Sequence, residues 1–91
     1  MASSITAAAI ELIRHSLELA GSDPAKVGVR LRVAGGMVRP RFVERPEEGD
    51  EELDAGPIRV FIAKKITDEL GDVEVGVSPE HGQLVVRPLS S

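Results

Sequence analysis

The chain has 91 residues, 42% of them hydrophobic but only 2% aromatic, a formal net charge of −4 and no cysteine. That length fits one domain, 1–91, with an aliphatic core around Phe42 and Phe61 and so little buried surface that modest stability or homo-oligomerisation is expected. The acidic balance argues against nucleic acid, the missing cysteines exclude disulfides, and no apolar run approaches the roughly 20 residues that span a bilayer.

Met1-Ala2-Ser3-Ser4 is neither basic nor strongly apolar, so no export signal is expected and the cytoplasm is the default compartment. The termini, including Ser3, Ser4, Ser90 and Ser91, are expected to be disordered. Ala7 to Ala20 carries the first helix. Thr6 is placed to cap its free amides, Ile5 to staple onto Ile10, and Ile10, Ile13 and Leu17 recur at helical spacing. Gly21 ends the helix because glycine accepts the left-handed conformation of a cap. From Val27 to Val33, apolar Val27, Val29, Leu31 and Val33 alternate with Gly28, Arg30 and Arg32, the pattern of a half-buried strand. Val38 to Val43 is a second strand, and Ile58 to Ala63 a third, apolar enough to be central. Lys64 to Leu70 is a short helix or turn closed by Gly71. Val73 to Val77 and Leu84 to Arg87 complete the set. One helix followed by several strands predicts an α+β domain with a mainly antiparallel or mixed sheet.

Between the second and third strands the charge is one-sided. Glu44 to Asp54 holds seven carboxylates against Arg45, a local −6 that leaves +2 on the rest of the chain. With Pro46 and Gly49 inside it, the stretch at about 44–56 is expected to be a mobile acidic loop.

The arginines form the most informative constellation. A two-residue turn at Gly35-Gly36, which glycines suit because both positions can take positive φ, pairs Ala34 with Met37, Arg32 with Arg39 and Arg30 with Arg41. Val29, Leu31 and Val33 then fall opposite Phe42, Pro40 and Val38 on the other face. Four arginines thus share one side, where facing like charges repel and call for a counter-charge. Two readings stay open. Either the acidic loop folds back on Arg30, Arg32, Arg39 and Arg41 (or they point into water), or they form an anion- or partner-binding site, since clustered guanidiniums favour carboxylate and phosphate. Pro40 lacks an amide hydrogen and places its strand at an edge or a bulge.

Glu80-His81 is the one adjacent carboxylate and imidazole, and its Ser-Pro-Glu-His-Gly setting reads as a turn. His15 sits on the helix with no reason to meet His81. There is no Gly-x-Ser-x-Gly, phosphate loop or zinc-ligand spacing. No catalytic residue, metal site or cofactor is therefore assigned, and the chain is not expected to be an enzyme.

Taken end to end, several stretches are familiar. Ile5-Thr6 precedes an alanine-rich helix; Gly28-Val29-Arg30-Leu31-Arg32-Val33 leads to Gly35-Gly36; Ala55-Gly56, Ile58-Arg59-Val60-Phe61-Ile62 and Lys64-Lys65 follow the acidic segment. This order resembles the A-type iron–sulfur carriers, the HesB/IscA-like family, over almost the whole chain. The resemblance implies that family's α+β fold and a place in iron–sulfur cluster assembly. It also implies three cysteine ligands, and none is here. Met37 stands at the position that replaces the family's first ligand cysteine, in a segment a few residues short, and Arg87-Pro88 takes the place of the family's Asn-Pro. The other two cysteines belong to a Cys-Gly-Cys motif beyond the last strand, past Leu89-Ser90-Ser91. A neutral methionine thioether is a poor substitute for a thiolate. The expected role is a non-enzymatic accessory or regulatory interaction protein of cluster assembly. A protein partner is expected, such as a cysteine-bearing homologue or another assembly component. The alternatives are a small-anion or metabolite-binding module using the arginine face, or a fold reused for something unrelated to iron.

Overall fold

The computed structural model describes residues 3–35 and 37–89. In chain order the elements are β1 (Ser4–Ile5), α1 (Ala7–Leu19), β2 (Gly28–Ala34), β3 (Met37–Val43), β4 (Glu51–Ala55), β5 (Ile58–Ile62), α2 (Lys64–Leu70), β6 (Val73–Val77) and β7 (Leu84–Pro88). They form two sheets, ordered β1-β6-β7 and β3-β2-β5-β4. The pairs β1–β6 and β2–β5 are parallel and the rest antiparallel, giving the expected α+β domain with mixed sheets. No helix among the described residues is long and apolar enough to cross a membrane.

Local chemistry accounts for the helices. The Thr6 hydroxyl accepts a hydrogen bond from the Ala9 amide at 3.2 Å, satisfying one of the donors a helix start leaves unpaired. At the other end, Gly21 takes φ +68° and its N–H donates to the Glu18 carbonyl. The face Ala9, Ile13 and Leu17 is buried. It packs into one cluster with Val29, Leu31, Val60 and Ile62 of the four-stranded sheet and Val73 and Val75 of the other.

Strand parity corrects the expected centre of that core. Neither phenylalanine sits there: Phe42 is 40% exposed, and Phe61, fully buried, lies outside the main cluster. In the register, Phe61 lies beside Arg30 and opposite Glu52, so it belongs to the arginine face of the sheet. There it sits over Gly28, where an added Cβ would come within 2.7 Å of the ring. The Arg59 guanidinium covers it at 5.2 Å from the ring centroid.

The acidic stretch is only half a loop. Glu51–Ala55 forms β4, turning Leu53 and Ala55 into the core and Glu52 and Asp54 outward. Pairing with β5 makes it a strand despite its charge. The disorder expected at Ser3 and Ser4 is also corrected. Ser3 is buried, its N–H and hydroxyl donate to the two oxygens of the Glu51 carboxylate at 2.9 and 3.1 Å, and its hydroxyl accepts from the Val73 amide at 2.9 Å. One serine thus ties the two sheets together, and Ser4 follows in β1. The expectation for Ser90 and Ser91 lies outside the described residues.

Candidate functional site

The hairpin β2–β3 has the anticipated register: Arg30 faces Arg41, Arg32 faces Arg39 and Ala34 faces Met37, with Val29–Phe42, Leu31–Pro40 and Val33–Val38 alternating between them. Gly35 has φ +62°, the left-handed backbone that a tight hairpin turn requires; Gly36 lies outside the described residues. The Ala63 amide donates to the Leu31 carbonyl, so the polar groups of Leu31 point toward β5 and those of its neighbours Arg30 and Arg32 toward β3. Arg30–Arg41 and Arg32–Arg39 are therefore the hydrogen-bonded pairs, with Cα atoms about 5.5 Å apart. The same parity turns the backbone of Pro40 outward, on an edge strand where its missing N–H leaves no ladder bond unmade.

The acidic segment answers one arginine of the four. The Arg30 Nε donates to Asp50 Oδ2 at 2.8 Å and an Nη to Oδ1 at 3.3 Å, with Glu47 3.5 Å away. Gly49, at φ +87°, makes the turn that delivers Asp50, and a Cβ there would strike the Lys64 stem at 2.5 Å. Asp50 is a closed site. Its carboxylate side chain is fully buried and also accepts from the Glu47 amide. Burial pushes the Asp50 pKa up, but the Arg30 hydrogen bond, the amides of Glu47 and Lys64 and the Arg30 charge more than offset this and leave it below the ordinary carboxylate value. Arg30 is held correspondingly above its ordinary value by that hydrogen bond, against the opposing effect of burial.

Arg32, Arg39 and Arg41 are exposed and make no ion pair or side-chain hydrogen bond among the described residues. The structure thus divides the predicted quartet into one internal clasp at Arg30, an exposed Arg41 across the ladder from it, and the exposed Arg32–Arg39 pair toward the tip.

Sequence analysis missed a second feature. A cleft of about 630 Å³ opens between α1, the apolar face of the hairpin and β7, lined by Leu12, Val29, Val33, Val38, Phe42, Leu70, Leu84 and Val86, with Met37 and Arg39 also contributing. Val33 (48%), Met37 (45%), Phe42 (40%) and Leu70 (38%) leave large fractions exposed. Val33, expected with Val29 and Leu31 on a buried face, is instead part of this open wall. The signal was in the sequence: the apolar parity continues to the hairpin tip, beyond the reach of the core.

The donor set does not fit an iron–sulfur cluster. Thiolates or imidazoles are needed, and the chain offers no cysteine and two histidines. His15 is exposed on α1 and His81 lies in a turn beside Glu80, Nε2 to Oε2 3.9 Å. Among the described residues no group of three His, Cys, Asp or Glu is arranged to hold a metal ion. Met37, opposite Ala34 beside the turn, brings a single thioether.

No protein-family model matches the chain, and no curated protein matches it. Solved structures do. The crystal structure of Escherichia coli SufA, described as involved in biosynthesis of iron–sulfur clusters, superposes with a TM-score of 0.67 at 23% identity, covering 96% of this chain and 83% of SufA. The solution NMR structure of an Aquifex aeolicus protein gives 0.66 at 20% identity, covering 96% of this chain and 95% of that one. The chain has the HesB/IscA-like fold, and has it without a single cysteine.

Proposed function

We propose that this chain is a non-enzymatic accessory protein of iron–sulfur cluster assembly that acts by contact with a cysteine-bearing protein, which supplies every thiolate. The observation that carries this reading is the pairing of a HesB/IscA-like scaffold with a donor set unfit for a cluster, beside an exposed arginine-bearing hairpin tip. Charge complementarity at such a tip sets association rate and partner choice more than raw affinity.

The test is a mixing experiment under anaerobic conditions with iron and sulfide. Light scattering and iron and sulfide assays are made on the chain alone, on a cysteine-bearing A-type carrier alone and on the mixture. The expected result is a complex of fixed stoichiometry, with metal retained only where the carrier is present. Iron and sulfide held by this chain alone, or no complex, contradicts the reading.

Arg32, Arg39 and Arg41, without an ion pair among the described residues, also favour a small-anion site. A ligand that binds only the folded state raises the melting temperature by mass action, so a phosphate and carboxylate panel separates the two readings. A flat response at millimolar anion removes the second.

A further inference from the structure

The cleft lies on the apolar face of the hairpin, and Arg39, which has no ion pair among the described residues, reaches its border; together they specify an occupant. The walls drawn from β2 and β3 are apolar (Val33, Val38, Phe42), and α1 and β7 bring Leu12 and Leu84 to the opposite side. Arg39, on the edge strand β3, lines the same cleft and is the one charged residue among its described lining residues. An exposed apolar groove with a charged border marks a binding surface rather than a scattering of surface residues.

Three observations decide what kind of ligand suits it. First, four large walls remain between 38% and 48% exposed, so the groove is broad and shallow. Pockets for small molecules enclose most of their ligand, which this surface does not do. Second, β3 is an edge strand, but Pro40 turns its donorless backbone outward at mid-strand. An added β-strand would find a gap in the ladder there, so engagement runs through side chains. Third, the one charged residue lining the groove, Arg39, is positive and has no ion pair among the described residues, while the chain's own nearby carboxylates at 47 and 50 are engaged with Arg30. A binding segment should therefore carry carboxylates next to its apolar stripe.

We propose that the cleft receives an acidic amphipathic helical segment of a partner protein, with its apolar side chains against Val33, Val38 and Phe42 and a flanking carboxylate on Arg39. The inference rests on the contact-based function proposed above and names the surface that such contact uses.

The experiment uses the full ¹⁵N-labelled chain and two synthetic helical peptides of about 15 residues. Both have leucines on one stripe; one has glutamates elsewhere, the other lysines. Expected are amide shifts at Leu12, Val38, Phe42 and Leu84 with the acidic peptide, and at least ~tenfold weaker binding of the basic one. Arg39→Glu and, separately, Phe42→Ser should each weaken the acidic peptide by about tenfold, with the melting temperature of each variant measured alongside. Both side chains are exposed, so neither variant should unfold the domain.

Equal binding of the two peptides, or shifts confined to other surfaces, overturns the proposal. Saturation of the cleft by decanoate below the peptide's dissociation constant assigns it instead to alkyl carboxylates, and concentration-dependent shifts of the same amides without any peptide assign it to a second copy of the chain. Both overturn it. The peptide readout involves no carrier, so its failure is separable from failure to form a complex with a cysteine-bearing protein.

Discussion

The base and the tip of β2 are built from the same alternating sequence and end in opposite states. At the base, Val29 and Leu31 are 1% and 0% exposed, and Arg30 is clasped by a buried carboxylate. Two residues beyond Leu31, Val33 is 48% exposed, and neither Arg32 nor Arg39 has a partner among the described residues. The difference lies in the neighbours. The base has β5 beside it and the core beneath it, whereas the register with β5 stops at Leu31. The hairpin projects beyond its support, so its last turns supply little to stability and are available for contact.

The comparison is sharpest where the expected effects are largest. Leu31→Ala removes a fully buried side chain from the base and should cost about 2–5 kcal/mol in urea unfolding. A cost near zero would mean that the base is as loose as the tip. Breaking the clasp should come next. Asp50→Asn should cost about 2 kcal/mol, because it weakens charge-assisted hydrogen bonds at a buried site. The pH dependence has a fixed sign. Because Asp50 is held below its ordinary carboxylate value in the folded chain, its contribution is present above that ordinary value and is lost as pH falls through the lower folded one. Asp50→Asn should flatten this part of the acid-unfolding curve, and an unchanged curve would remove the clasp from the account.

Gly28→Ala tests the arginine face of the base, where Phe61 fills the space a Cβ needs; a loss of about 1–3 kcal/mol is expected from thermal melts. The smallest effect belongs to the tip and has the opposite sign. Arg32→Glu replaces a facing pair of like charges by an Arg39–Glu pair and should stabilise by roughly 0.2–1 kcal/mol.

What was legible in the sequence was whatever depends on near neighbours. The Thr6 cap, the end of α1 at Gly21 and the whole hairpin register follow from local spacing and turn chemistry. β4 was hidden because its strand character comes from pairing with β5, while its glutamates and aspartate made it resemble a solvated loop. Ser3 was hidden for the same reason: its partners, Glu51 and Val73, are 48 and 70 residues away. Of the site, the arginine face was readable from alternation, but its division was not, since nothing local says that Asp50 reaches Arg30 and not Arg32. The cleft needed α1 and β7 to be placed against the hairpin.

The most direct test of the hairpin tip as the working surface is a titration of the Arg32→Glu/Arg39→Glu double variant against a cysteine-bearing A-type carrier, with its melting temperature measured alongside. The account predicts a melting temperature close to that of the parent chain, because like charges again face each other, and binding weakened by at least about tenfold. Parent-like binding by a stably folded variant would contradict it.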